Sequence, residues 1–252
     1  MSVHGFGELM FDREAFDQDK SVIIKHLGAN ENLQNLALDF VNRSNKVRYA
    51  YVWNWFGLPI IQMPEDIVKV QEIIFDSKPD VIIETGIAWG GSLLLYASVL
   101  KALGKGRVIG IDLKVPDSNQ KAILESPFSD VIDLIEGSST DVNVISRVKE
   151  TLAVGQNIML ILDSHHTHQH VLDELNLWSP LIKSGGYILV CDTIVEYIDS
   201  PEDRIRDWSK GNNPMTALNE FLRTNSRFVI DIDYNNKSLV SFHPHGVLRA
   251  IS

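Results

Sequence analysis

The stretch "VIIETGIAWGGSLLLYASVL", residues 81–100, reads as a buried strand, a glycine-broken turn and the start of a helix. Its opening residues are apolar and β-branched without alternation, the pattern of a strand covered on both faces. Gly86 permits a tight bend, while Gly90 and Gly91 let backbone approach a ligand where the helix begins. A turn of this kind suits a charged small molecule, because the first N–H groups of a helix lack internal partners.

Outward from this stretch, strands and helices alternate. Apolar runs at 81–84, 107–112, 131–135, 158–162, 187–191, 228–232 and 239–242 predict strands. Amphipathic segments at 66–75, 92–103, 142–152, 169–177 and 215–224 predict the helices between them. That alternation implies an α/β fold, a mostly parallel sheet with helices on both faces. The last two predicted strands are joined only by "DYNNK", too short for a crossover, so the final strand is expected to run antiparallel. A seven-stranded sheet with an antiparallel last strand is the Rossmann-like class I methyltransferase ground plan.

Residues 1–62 differ from the rest. They carry a predicted helix at 32–43 and the aromatic-rich "RYAYVWNWFGLPI" at 48–60. Two domains are therefore expected: an N-terminal helical and aromatic cap segment over 1–62 and the main domain over 63–252. The aromatic residues either pack on the main domain or form a cap or subunit contact beside the site. A homo-oligomer is expected on the second reading.

Bulk composition narrows the function classes. The 252 residues are 44% hydrophobic and 22% charged, which is globular composition. A net charge of -10 argues against a nucleic-acid or anionic-membrane partner, since phosphate would be repelled. Cys191 is the single cysteine, so no internal disulfide forms and a reducing, cytoplasmic setting fits. The N-terminal residues lack the basic start and apolar core of a signal peptide, and no apolar run approaches the ~20 residues of a membrane helix.

In such sheets ligands bind beyond the carboxyl ends of the strands, near the point where strand order reverses. Read loosely, Gly86, Ala88 and Gly91 match a degraded dinucleotide fingerprint. Glu84 weighs against it, because a carboxylate at the strand end would repel a pyrophosphate. It would pair instead with the ammonium of an amino-acid ligand, with the helix start and Ser92 receiving that ligand's carboxylate. Asp112 ends "VIGIDL", where an acid accepts hydrogen bonds from both ribose hydroxyls, or alternatively caps a turn. Gly137 and Ser138 follow the next strand, where an adenine edge would lie. These three stations point to S-adenosylmethionine.

The densest chemistry is "LILDSHHTHQHVLDEL", residues 160–175. Asp163 ends one strand, and Asp192 ends the next, so two carboxylates come within reach of one cation. Oxygen ligands favour Mg²⁺ or another hard divalent ion. Zinc on His166 and His170 is the alternative. Removing the proton of an alcohol with pKa ~15.7 by an ordinary histidine at ~6.5 faces roughly 12 kcal/mol of mismatch. A metal on that oxygen removes much of the gap and lets histidine act as general base. His166, three residues after Asp163, is the candidate base. His165, His168 and His170 are expected at the surface or around the site. The connection "IVEYIDSPEDRIRDWSKGNN", residues 194–213, is long enough for a lid over the acceptor.

These blocks resemble the cephalosporin hydroxylase family of S-adenosylmethionine-dependent enzymes, which includes rhamnosyl O-methyltransferases and is related to metal-dependent macrolide sugar O-methyltransferases. The resemblance spans residues 52–251. It rests on "WFGLPIIQMPEDIVKVQEII", "KPDVIIETGIAWGGS", "VIGIDL", "EGSSTD", "LILDSHHTHQHVLDELNLWSPLIKSGGYILVCDT" and "FHPHGVLRAI". It implies S-adenosylmethionine at Glu84, Gly86, Ser92 and Asp112, a divalent metal at Asp163 and Asp192, and His166 as base. The related sugar enzymes carry an acidic residue just before the second aspartate. Here Cys191 stands there, so the metal is bound more weakly, or Glu196 substitutes, or catalysis dispenses with metal. The expectation is a methyltransferase acting on a hydroxyl of a sugar-containing small molecule or polysaccharide precursor. The rivals are a nonheme-metal hydroxylase and a catalytically inactive S-adenosylmethionine-binding protein.

Overall fold

Every residue of Val81–Thr85 is buried, and this strand lies inside the seven-stranded sheet on which the molecule is built, third from one edge. The computed structural model describes residues 12–200 and 205–252. The chain enters through α1 (Arg13–Ala29), α2 (Glu31–Lys46) and a small hairpin, β1 (Asn54–Trp55) with β2 (Leu58–Pro59). The alternating part follows as α3 (Pro64–Ser77), β3 (Val81–Thr85), α4 (Gly91–Leu103), β4 (Arg107–Asp112), α5 (Asp117–Leu124), β5 (Ile132–Glu136) and α6 (Val142–Glu150). It continues with β6 (Ile158–Leu162), α7 (His168–Trp178), β7 (Tyr187–Val190), α8 (Pro214–Thr224), β8 (Phe228–Ile230), α9 (Ile232–Asn236) and β9 (Val247–Ala250).

The seven strands lie in the order β5-β4-β3-β6-β7-β9-β8, and β9 runs antiparallel to both of its neighbours. Successive residues of β3 enter opposite cores, as the two-residue strand period requires. Ile83 joins the cluster containing Val148, Trp178 and Phe221 of α6, α7 and α8. Ile82 joins Val70, Ile73, Leu93 and Leu100 of α3 and α4 on the other face. Strand order reverses between β3 and β6, so their carboxyl ends open the crevice where ligands bind in such sheets.

The reversed strand is not the expected one. Residues 239–242 form no strand, and "DYNNK" lies largely within the short helix α9, which Asp231 caps by accepting the Tyr234 N–H. Three amides of this run are taken by carboxylates of α3 instead: Leu239 and Val240 donate to Glu65, and Phe242 donates to Asp66. With those donors engaged, the sheet closes with β9.

Of the cap segment, residues 1–11 lie outside the described residues. The predicted helix at 32–43 is the interior of α2, and α1 is an additional helix capped by Asp12. Trp55 donates its indole N–H to Ser98 of α4, and Val41, Ala50 and Met63 pack with Ile194 and Phe242. Among the described residues, no helix is long and apolar enough to cross a membrane.

Candidate active site

The turn after β3 is shaped by close backbone contacts. Gly86 has φ +83, and a Cβ there would overlap the Asp163 carbonyl at the end of β6. Gly91 is needed for a different reason from the one expected. A Cβ there would strike the backbone of Pro59, so protein rather than ligand fills that approach.

Glu84 is fully buried beneath the turn. It accepts hydrogen bonds from Ser92 Oγ at 2.8 Å and Tyr96 OH at 2.9 Å. Burial pushes its pKa up to about 8, the two hydrogen bonds pull it down, and the Asp112 charge adds to the rise. The Ser92 proton is thus directed to Glu84, and only the hydroxyl's lone pairs remain for other donors. Asp112 accepts the Ile87 N–H at 3.0 Å, which ties β4 to the same turn. Ser138 bonds Thr140 at 2.9 Å in the loop after β5.

A cavity of about 50 Å³ lies over this turn, lined by Gln62, Gly86, Ala88, Ser92 and Asp163 among others. Gln62 is 2% exposed, and its Oε1 has no hydrogen-bond partner among the described residues. A buried amide oxygen without a donor is costly and marks a place for one. Sequence reasoning missed Gln62; its polarity inside the otherwise apolar "LPIIQM" is the signal that was present.

The second group forms where β6 and β7 end side by side, with Leu162 opposite Val190. Asp163 and Asp192 keep 27% and 24% of their side chains exposed, and His166 keeps 12%. His166 Nε2 lies 3.3 Å from Asp192 Oδ2 and 4.0 Å from Asp163 Oδ1. Burial pushes Asp163 well above the ordinary carboxylate range, and the charges of Asp192 and Glu84 push it further. Burial also lowers His166, against the upward pull of Asp192.

Two like charges in a half-buried crevice call for a cation. The donors available are carboxylate oxygens, which fit Mg²⁺ completed by water. Among the described residues, no group of three His, Cys, Asp or Glu side chains is close enough to hold a metal by itself. The zinc alternative also lacks geometry: His170 Nε2 faces Ser164 at 3.0 Å and Ser139 at 3.2 Å. Cys191 is buried in the apolar cluster of α3 and α4, its thiol pushed well above its usual pKa by burial and by Asp163. Glu196 does not replace it, since it binds Gly211 N at 2.8 Å and Asn213 Nδ2 at 2.6 Å. His168 bonds Thr216 at 2.8 Å, and His165 bonds Thr167 at 3.1 Å.

A cavity of about 280 Å³ opens beside these groups. Tyr51, His166, Asp192, Arg206 and Trp208 are among its walls. Trp208 meets His166 edge-on with ring centroids 5.0 Å apart, and the Arg206 guanidinium lies 5.2 Å from the Trp208 ring centroid. Both belong to the expected lid at 194–213, of which residues 201–204 lie outside the described residues. The two cavities share Ile61, Ala88 and Asp163 as walls.

The family model described as Rhamnosyl O-methyltransferase/CmcI matches residues 47–251. The rhamnosyl O-methyltransferase of Mycobacterium leprae is 31% identical over 148 residues, covering 57% of this chain and 62% of that protein. That of Mycobacterium tuberculosis is 32% identical over 149 residues, covering 56% and 58%. The match thus spans less than two thirds of the length of these relatives. Among solved structures, an apo form of CmcI superposes with a TM-score of 0.57 at 21% identity, over 80% of this chain and 77% of that one. CmcI with Mg and SAM gives 0.55 at 22% identity, over 80% and 78%. A putative caffeoyl-CoA O-methyltransferase from Staphylococcus aureus gives 0.51 at 15% identity, over 82% and 92%. These likenesses establish the class I methyltransferase fold.

Proposed function

The chain belongs to the rhamnosyl O-methyltransferase/CmcI family, and on that premise we propose that it is an S-adenosylmethionine-dependent O-methyltransferase. It methylates a hydroxyl of a sugar-containing small molecule or polysaccharide precursor, assisted by Mg²⁺ or another hard divalent cation. One observation carries this reading: Asp163 and Ala88 wall both the cavity over the glycine turn and the cavity beside His166. The methionine end of a donor in the first and an acceptor in the second would meet across that shared wall.

When bound, the donor supplies an electrophilic methyl group and the cation lowers the pKa of the acceptor hydroxyl. The rest falls to the chain's own residues. Glu84 and the unpaired Gln62 Oε1 take the ammonium of the methionine moiety, and the backbone N–H groups of Gly91 and Ser92 at the start of α4, beside Gly86, take its carboxylate. Asp112 binds the ribose, Ser138 the adenine edge, and Asp163 flanks the reacting end. Asp163 and Asp192 hold the cation. His166, kept neutral by burial, accepts the hydroxyl proton at Nε2. Trp208 offers an aromatic wall to the sugar and helps exclude water.

Residues 1–62 act as a cap on the catalytic domain at 63–252, and the exposed Leu36, Phe40, Val47 and Val52 support self-association. The lone buried thiol of Cys191 fits a reducing cytoplasm.

The deciding experiment is calorimetry with S-adenosylmethionine with and without Mg²⁺, followed by methyl transfer to a panel of glycosides. Heat with the donor and a methylated sugar hydroxyl are expected. No heat with the donor, together with tight binding of a nicotinamide nucleotide, would overturn the reading.

A further inference from the structure

The block "FHPHGVLRAI", residues 242–251, begins directly behind Asp192, and its first residue, Phe242, lines the larger cavity. Residues 241–246 lie along residues 190–194 and are fastened to them at several points. Val190 N donates to Gly246 O at 2.8 Å, and Ile194 N donates to Phe242 O at 3.1 Å. Thr193 Oγ1 donates to Pro244 O at 2.6 Å. Between these, Asp192 N donates to His243 Nδ1 at 3.0 Å.

That bond holds an unusual residue. Asp192 has φ +54, in the left-handed region that a non-glycine residue keeps only where its surroundings impose it. The bond also dictates the state of the ring: Nδ1 accepts, so it carries a lone pair, and the ring proton sits on Nε2. Nε2 is buried, has no hydrogen-bond partner among the described residues, and lies 3.8 Å from Asp66 Oδ2. Asp66 is itself fully buried and accepts from Lys69 Nζ at 2.8 Å, Ser241 Oγ at 2.6 Å and Phe242 N at 2.8 Å. Its negative charge favours the proton on the facing nitrogen and so leaves Nδ1 free to accept.

We infer that His243 is a positioning residue: oriented by Asp66, it fixes the Asp192 backbone and thereby aims the Asp192 carboxylate at His166 and the cation. The inference rests on the reading of Asp192 as a cation ligand. Partners of this kind behind a metal site typically change affinity or rate about 10–100-fold when removed.

Three substitutions separate positioning from packing. His243→Asn keeps an acceptor near the place of Nδ1, His243→Gln puts its amide near Nε2 instead, and His243→Phe keeps the ring without an acceptor. The readouts are Mn²⁺ affinity by electron paramagnetic resonance, kcat, and KM for S-adenosylmethionine. The Asn variant should stay within about threefold of the parent, while Gln and Phe lose about tenfold in Mn²⁺ affinity and kcat with KM unchanged. A Gln or Phe variant equal to the parent, or an Asn variant as impaired as Gln, overturns the inference. If the Phe variant does not fold, the Asn and Gln pair decides.

A nitrogen-15 spectrum of the ring gives an answer independent of any cation. It should find Nε2 protonated and Nδ1 bare, with a slowly exchanging Asp192 amide that becomes fast in the Gln variant. A proton on Nδ1 overturns the inference. If the parent binds no Mn²⁺, the cation reading fails, and the ring and amide signals still decide the role of His243.

Discussion

His166 Nε2 lies 3.3 Å from Oδ2 of Asp192, a residue that reaches it from the end of the neighbouring strand. Once Nε2 takes a proton, the resulting imidazolium is paired by the same carboxylate that helps to hold a cation. Its ring is held neutral by burial while one edge faces a negative charge, which suits it to take a proton and keep it briefly.

Replacing His166 by alanine should lower kcat about 10²- to 10⁴-fold, the usual worth of a positioned general base. Affinity for S-adenosylmethionine should stay within a few-fold, because His166 lines only the larger cavity. Steady-state rates and calorimetry on the same preparation check this, and a near-parental rate removes His166 from the role.

Asp163→Asn removes one of two carboxylates while leaving in place the backbone carbonyl that packs on Gly86. Cation affinity should fall at least about tenfold, and the response of activity to added Mg²⁺ should shift by as much. An unchanged titration curve would count against Asp163 as a ligand.

Glu84 makes the stability of the ligand-free protein depend on pH. Its pKa rises from 4.5 to about 8, first through burial. Between those values the folded chain holds a proton that the unfolded chain has lost, so unfolding free energy declines as pH rises through that window. The stability tied to the neutral carboxyl is complete below the unfolded value and gone above the folded one. Urea titrations should find this loss, at most about 5 kcal/mol, in the parent and not in Glu84→Gln. Binding of a cationic ammonium beside Glu84 should release a proton near neutral pH, measurable by calorimetry in two buffers.

Two glycines with similar backbones should respond differently to alanine. Gly86 and Gly104 have φ +83 and +74, so both substitutions strain the backbone. Only at Gly86 would the new methyl group meet the Asp163 backbone; at Gly104 it meets nothing within 4 Å. Gly104→Ala should cost about 1 kcal/mol and Gly86→Ala about 2–3 kcal/mol or more, read by urea unfolding. Equal losses would mean that the contact between turn and strand end yields freely.

The run at 81–85, its turn and the helix after it are legible in the chain because each is a local statement. A strand covered on both faces must be continuously apolar, and a left-handed bend with a backbone neighbour accepts glycine alone. The facing of Asp163 and Asp192 is nearly local too, since parallel neighbours finish on the same edge of a sheet. The last strand was not legible. Residues 239–242 and 247–250 are both short apolar runs, and the choice between them is made by the carboxylates of Glu65 and Asp66, brought from α3 to the amides of the first.

The sequence by itself determined which side chains end which strands, and with them the class of chemistry at the site. Only the tertiary structure decided which of four closely spaced histidines turns toward Asp192, and that Gln62, Trp208 and His243 join it from distant segments. Hydrogen bonds and burial are made between surfaces, and the pairing of surfaces leaves no spacing along the chain for periodicity to report.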